Sequence, residues 1–314
     1  MGSSISFPEV EISPERTYLI TGGNSGIGYI AAREIARMGG HVIIACRNMV
    51  KADEAIKRIQ EEYEEHLTSK QSPADISELK KINVEKMELD LASFASTQSF
   101  IESFKARNCA LNVLICNAGV VTDKEITEDN HELMLQANFL SHFIITVHLL
   151  PILLKCGEDS RVVNVSSLGH MNGKLDIENM DGEKSFGQLS FYCNSKLYQV
   201  MSMFWLSRHL KDKSVSIISL HPGFVDTQMT RKSKYIKYFV SGFAKKAVDG
   251  GATTIKAAVD PNLQSQSAIY LDVCKIKSPS SLSRNTEKQE LLMKYTLDVV
   301  KDYLPQDIHD YLDF

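Results

Sequence analysis

Excess positive charge is missing from this chain of 314 residues, in which 35 lysines and arginines face 39 acidic residues for a net charge of −4. Nothing in that balance attracts nucleic acid broadly, and no basic tail does so locally. Cysteine is sparse and unpatterned. The six cysteines (Cys46, Cys109, Cys116, Cys156, Cys193, Cys274) form no C-x-x-C pair. They read as scattered thiols of a reducing compartment, so neither a disulfide framework nor a metal site is expected and a cytoplasmic location is. Long apolar runs are also lacking. The start, MGSSISFPEVEISPER, has none of signal length, and Phe143–Leu154 is too short and interrupted to span a bilayer. The last residues, Leu312-Asp313-Phe314, match no retention signal. Gly2 and Ser6 do fit the Met-Gly-x-x-x-Ser pattern for myristoylation, although one acyl chain anchors only marginally.

What is present is ordinary for a globular protein: 43% apolar and 24% charged residues. Arg16-Thr-Tyr-Leu-Ile-Thr21 reads as a strand running into Thr21-Gly-Gly-Asn-Ser-Gly-Ile-Gly28, and a helical pattern follows from Ile27 to Met38. Strand, glycine loop and helix in this order are the context a dinucleotide needs. Gly22 permits a tight turn, Gly26 lets phosphate approach the backbone, and Gly28 allows close helix packing. The helix N-terminus, with Asn24, Ser25 and Ile27 around it, offers N–H groups to a pyrophosphate. A glycine-rich turn without ligand is the plainer reading.

His41-Val-Ile-Ile-Ala45 is a second strand, ending at Cys46-Arg47-Asn48. An acidic residue there would bind the ribose hydroxyls of NAD. Arg47 stands there instead, with Lys51 a turn further on. A guanidinium grips a 2′-phosphate that a carboxylate would repel, so NADP(H) is expected over NAD. A solvated arginine at a strand end is the alternative. A charged helix over 49–66 and a polar insertion over 67–81 follow. Val84–Asp90 is a third strand, with Asp90 readable as a cap or turn residue and Ser93 as a cap for the next helix. Leu111–Cys116 is almost continuously apolar, as a strand covered on both faces should be, and runs into Asn117-Ala118-Gly119. Small residues there leave room for a nucleotide, and Gly119 is free to adopt unusual backbone angles.

A long helical pattern, Asp129–Leu154, places Asn138 within an apolar face, where an amide must find partners. A helix kink held by its side chain is the bland account. His142 and His148 read as packing residues. Arg161–Ser167 is a fifth strand with hydroxyls at its carboxyl end, the edge at which open parallel sheets bind ligands. Tyr192 and Lys196 then share one helix face at i and i+4. A nearby ammonium stabilises a phenolate, so Lys196 is expected to lower the Tyr192 pKa, with an oxidised cofactor ring adding to the effect. Taken alone, the pair is no more than two residues at helical spacing on a surface. The stripe Met201, Met203, Phe204, Trp205 reads as core or as the interface of a homo-oligomer. Val215–Leu220 is a sixth strand before Pro222-Gly223-Phe-Val225-Asp-Thr227. Met229–Gly251 mixes basic and aromatic residues, as a peripheral membrane contact would. Ala268–Leu271 is a last edge strand, and Glu287–Leu304 a terminal amphipathic helix.

The spacing Thr-Gly-x-x-x-Gly-Ile-Gly, the Asn-Ala-Gly turn, the serine pair, Tyr-x-x-x-Lys and Pro-Gly-x-Val-x-Thr together resemble the short-chain dehydrogenase/reductase family over roughly residues 16–272. Ser-Leu-Gly-His and Tyr-Cys-x-Ser-Lys-Leu look like its retinol-dehydrogenase-like branch. The resemblance implies a catalytic set of Asn138, Ser167, Tyr192 and Lys196, with Ser166 structural. It implies cofactor contacts at Gly22, Asn24, Ser25, Gly26, Ile27, Gly28, Arg47, Lys51, Asp90, Leu91, Asn117, Ala118, Gly119, Tyr192, Lys196, Pro222, Gly223, Val225 and Thr227. The expected fold is a single doubly wound Rossmann-type α/β domain, with a mainly parallel seven-stranded sheet and helices on both faces. An N-terminal extension (1–15), a lid near 228–250 and a helical C-terminal extension (273–314) complete it. The implied activity is NADP(H)-dependent hydride transfer to or from a lipophilic carbonyl or alcohol. A cofactor-binding regulatory or scaffold protein, and a lyase or epimerase using bound nucleotide, are the alternatives.

Overall fold

The computed structural model describes residues 7–70, 82–157, 159–223 and 247–314. The myristoylation pattern, most of the insertion, Val225, Thr227 and the lid through residue 246 lie outside them. The strands are β1 (Thr17–Thr21), β2 (His41–Cys46), β3 (Val84–Glu88), β4 (Val113–Cys116), β5 (Ser160–Val165), β6 (Val215–His221), β7 (Ile269–Asp272) and β8 (Lys275–Lys277). Their order in the sheet is β3-β2-β1-β4-β5-β6-β7-β8. All neighbours are parallel except β7 and β8. This is the expected doubly wound fold with one strand more than the seven anticipated.

The extra strand turns back through Val273 and Cys274, whose φ angles are +46° and +64°. Two positive φ values suit the tight hairpin turn that matches strand twist, but such turns normally carry Asn-Gly or Asp-Gly. Val-Cys gives no such signal, so β7 reads as the edge when β8 is. Lys275 and Lys277 then stand on that edge, which discourages pairing with another chain.

Both sheet faces are covered, which explains the nearly unbroken apolar runs of the central strands. Leu19, Ile43, Leu114 and Val162 point into a core shared with the helices α3 (Phe94–Ala106), α4 (Leu133–Lys155), α5 (Gln188–His209) and α7 (Thr286–Val299). Their neighbours Ile20, Ile44, Ile115 and Val163 point into a core shared with α1 (Gly26–Arg37), α2 (Met49–Lys70) and α6 (Ala247–Val259). Here α1 and α6 approach so closely that a Cβ at Gly251 would stand 2.4 Å from Ile30 Cγ2. By length and composition α4 could cross a membrane, yet its most apolar window is 83% buried inside the fold. Met201, Met203 and Trp205 are buried within the chain, with Trp205 donating to Glu290 at 2.8 Å. That stripe is core.

The sheet order reverses between β1 and β4, and ligands of open α/β sheets bind in the crevice at such a switch. The glycine loop after β1 and the Asn117 turn after β4 sit there.

Candidate active site

The glycine loop is shaped for close approach. Gly22 and Gly26 adopt φ of +67° and +57°, a region that side-chain-bearing residues avoid. Gly28 packs against the neighbouring turn so tightly that a Cβ would meet Asn117 Nδ2 at 2.5 Å and the Gly22 carbonyl at 2.6 Å. Ser25 precedes α1 in extended conformation, and its hydroxyl makes no cap hydrogen bond. The first N–H groups of a helix lack intrahelical partners. An uncapped N-terminus behind a glycine loop therefore fits a pyrophosphate, and the chain's own residues suit a dinucleotide.

Thr21 stitches this loop to the next turn. Its hydroxyl accepts from the backbone N–H of Asn117 (2.9 Å) and Ala118 (3.0 Å), while Asn117 Nδ2 donates to the Thr21 carbonyl (2.8 Å). Gly119 does not use positive φ. Thr21 Oγ1 also lies 2.9 Å from His142 Nε2, and His142 Nδ1 lies 3.2 Å from the Asn138 carbonyl. The Asn138 carbonyl can only accept, so Nδ1 carries the ring proton and Nε2 is left to accept from the threonine hydroxyl, which also lies 3.4 Å from the Ile115 carbonyl. Burial pushes the His142 pKa down to about 4, keeping the ring neutral. His142 is a hydrogen-bonded bridge between the nucleotide turn and Asn138, where packing alone was expected.

Asn138 lies in a π-helical stretch, Gln136–Leu140, within α4. Such stretches recur at functional sites because the extra residue re-aims side chains and carbonyls. Its Nδ2 donates to the Val120 carbonyl and to Ser195 Oγ, both at 3.0 Å, and its Oδ1 accepts from Val120 N at 2.7 Å. The helix pattern runs through this region without revealing the π turn.

Ser166 and Ser167 diverge. Ser166 is buried and donates to the Lys196 carbonyl at 2.8 Å, tying β5 to α5. Ser167 Oγ accepts from Gly169 N at 3.1 Å and adjoins Tyr192, a Cβ at Gly169 lying 3.4 Å from Ser167 Oγ and 3.6 Å from Tyr192 Cε1. The Tyr192 ring keeps partial solvent access, whereas Lys196 is only 2% exposed. A surface pair is thereby excluded. Lys196 Nζ donates to the Val165 carbonyl (2.9 Å) and to Gln199 Oε1 (3.1 Å), and stands 5.9 Å from the Tyr192 ring centroid.

Burial dominates the titration of both residues in the cofactor-free chain. Burial pushes the Tyr192 pKa up to about 12, and the neighbouring Ser167 hydroxyl opposes that. Burial likewise pushes Lys196 down to about 7. The lysine is anchored at the sheet end, beside the Tyr192 ring. Gln199, at i+3 from Lys196, went unnoticed in the sequence, although that spacing places it on the same helix face.

Arg47 directly follows β2, with its side chain 75% exposed and 3.6 Å from Asp90. Asp90 also accepts from Ala92 N at 3.0 Å, so it is a turn residue as well as a neighbour of the crevice. Leu91 is buried beside it, and its carbonyl accepts from Ser141 Oγ at 2.7 Å. Lys51 N is capped by Asn48 Oδ1 at 2.9 Å at the start of α2. Pro222 is buried, and Gly223 takes φ +102° as β6 leaves the sheet. Among the described residues no group of three His, Cys, Asp or Glu side chains could hold a metal.

Comparison with known proteins agrees with this architecture. The short chain dehydrogenase family model matches residues 16–82 and 68–235. Mouse (Mus musculus) retinol dehydrogenase 11 is 32% identical over 97% of this chain and 90% of its own length. The chicken (Gallus gallus) WW domain-containing oxidoreductase is 32% identical over 92% of this chain and 69% of its own. Among solved structures, an uncharacterised protein from Mycobacterium paratuberculosis superposes with a TM-score of 0.70 at 26% identity, covering 91% of this chain and 94% of its own. A short chain dehydrogenase from Salmonella enterica gives 0.62 at 20% identity over 85% and 99%, a likeness of fold. With its glycine loop, its sheet order and these matches over most of its length, the chain belongs to the short-chain dehydrogenase/reductase family of oxidoreductases, in the retinol-dehydrogenase-like branch.

Proposed function

We propose that the protein transfers hydride between NADP(H) and a lipophilic carbonyl or alcohol. The carrying observation is the buried Lys196 at the carboxyl end of β5, on the same helix as a partly accessible Tyr192 that adjoins Ser167. The loop Gly22–Gly28 would hold the pyrophosphate, Arg47 and Lys51 the 2′-phosphate, and Asp90 and Leu91 the adenine. Asn117–Gly119, Pro222 and Gly223, with Val225 and Thr227, would flank the nicotinamide. When bound, that ring supplies or accepts the hydride.

The chain's own groups handle the proton. Ser167 Oγ orients the substrate oxygen by a hydrogen bond, and Tyr192 hands its proton to that oxygen as charge develops. A phenol pushed up to about 12 is protonated at neutral pH, the state required of an acid in carbonyl reduction. Lys196 holds the ribose while remaining fixed by Val165 and Gln199. Asn138 pins the Val120 backbone and Ser195 beneath Tyr192. Leu168, Met171 and Leu189 expose apolar surface (38%, 51% and 40%) on the segments that follow Ser167 and precede Tyr192. An apolar rim of this kind suits a retinoid-, steroid- or xenobiotic-like substrate and a peripheral approach to a membrane.

Two substitutions test the reading. Tyr192→Phe keeps NADPH binding, measured by fluorescence titration, and loses about 10³-fold or more in turnover of lipophilic aldehydes. Turnover equal to that of the wild type would end the assignment. Arg47→Glu raises the KM for NADPH about 10-fold or more and leaves that for NADH nearly unchanged. An equal effect on both cofactors would remove Arg47 from the 2′-phosphate site.

A further inference from the structure

Behind Ser167 lies a second buried imidazole that the proton chemistry does not use. His170 has no exposed surface; its Nδ1 stands 2.7 Å from the Ser167 carbonyl, and its Nε2 faces the backbone N–H of Ser280 at 3.2 Å. A backbone N–H only donates, so Nε2 is the acceptor and Nδ1 carries the proton. The ring thus has one tautomer, and its one proton goes to the carbonyl of Ser167. That carbonyl also accepts from the His170 backbone N–H at 3.1 Å, closing the short turn that Ser167 caps.

The far side of the ring is equally fixed. Ser280 Oγ accepts from Ser283 N at 3.2 Å, and its carbonyl accepts from Ser283 Oγ at 2.7 Å. Gln289 Nε2 of α7 holds the Ser283 carbonyl at 2.6 Å. Glu290, one residue on, accepts from Trp205 and Arg208 of α5, the helix carrying Tyr192 and Lys196. A closed circuit therefore runs from Ser167 through His170 to the C-terminal segment and back to the helix of the catalytic tyrosine. The titratable groups around the ring are Tyr270, whose hydroxyl is 3.4 Å from Nδ1, together with Asp272 and His221.

We propose that His170 is a positioning residue for Ser167, held in its working tautomer by the backbone N–H of Ser280, so that the C-terminal segment sets the placement of the serine hydroxyl. The inference rests on the hydride-transfer reading above. An ångström of misplacement near reacting atoms costs on the order of 10²-fold in rate. His170→Leu, which removes both bonds, lowers kcat about 10- to 100-fold while leaving NADPH affinity within about twofold. His170→Asn, whose Nδ2 replaces the Nδ1 donor, recovers most of that loss. The double variant His170→Leu/Ser167→Ala turns over no more slowly than Ser167→Ala alone, because the histidine acts through the serine. ¹⁵N NMR of the histidine-labelled full chain with NADPH shows a protonated Nδ1 at His170. A protonated Nε2, equal losses in the Leu and Asn variants, or multiplicative losses in the double variant would overturn the proposal. A wild-type chain that turns over no carbonyl would instead sink the hydride-transfer reading, with the NMR tautomer still deciding the His170 bond by itself.

Discussion

Burial moves Tyr192 and Lys196 toward neutrality from opposite sides, the phenol up to about 12 and the ammonium down to about 7. For Lys196 this has a consequence for stability with a definite sign. Its ordinary pKa is 10.5, so between about 7 and 10.5 the unfolded chain binds a proton that the folded chain does not. Stability therefore rises with pH across that window, by up to about 1.4 kcal/mol per pH unit. The thiols of Cys116 and Cys193, pushed up from 9.0 to about 12 and about 11, act in the opposite direction only above pH 9. Urea unfolding of the cofactor-free protein between about pH 7.5 and 8.5 gives a rising stability for the wild type and a flatter line for Lys196→Met. Parallel lines would mean that the buried lysine is not the titrating group. The same burial leaves Tyr192 a protonated acid, while Lys196 stays anchored by its hydrogen bonds to Val165 and Gln199.

Among the elements, α1 and the turn after β4 show how a glycine acts through packing. A methyl at Gly28 meets both Asn117 Nδ2 and the Gly22 carbonyl well inside contact distance, and the Gly22 carbonyl is backbone that cannot swing away. Gly28→Ala should cost about 1–3 kcal/mol of stability through overpacking, read from the denaturation midpoint. It should also weaken NADPH binding, since the loop and the turn move apart. An alanine variant of unchanged midpoint and affinity would show that the two turns are not locked together. The helix α4 carries a different lesson. Its apolar sequence announces a long buried helix, but the π turn at Gln136–Leu140 depends on the Asn138 amide reaching Val120 and Ser195, residues far away in sequence. No local pattern encodes that reach.

For the molecule as a whole, the C-terminal segment is part of the working structure. Leu292, Met293, Val300, Ile308, Tyr311 and Leu312 are all buried in the core on the α5 face of the sheet. Leu292→Ala should cost about 2–5 kcal/mol. Because α7 shares that core, bonds to α5 and holds the Ser280–Ser283 turn that meets His170, fluorescence of Trp205 and far-UV circular dichroism should report one coincident unfolding transition in wild type and variant alike. Two separated transitions would show the C-terminal segment to be an independent unit.

The sequence by itself determined the sheet, its two covered faces and the residues that meet at its carboxyl edge. Apolar runs, helical periodicity and glycine spacing are local signals, and the glycine loop, the Asn-Ala-Gly turn, Ser167, Tyr192 and Lys196 are all found where such signals put them. Tertiary structure decided the rest. It chose the direction of the Lys196 ammonium, the tautomers of His142 and His170, the π turn under Asn138, and the hairpin at Val273-Cys274 that adds an eighth strand. Each of these is set by a hydrogen bond between residues distant in the chain, or by a backbone conformation imposed on side chains that do not favour it. Burial and partner geometry exist only once the chain has closed, and with them the protonation states that make these residues a site.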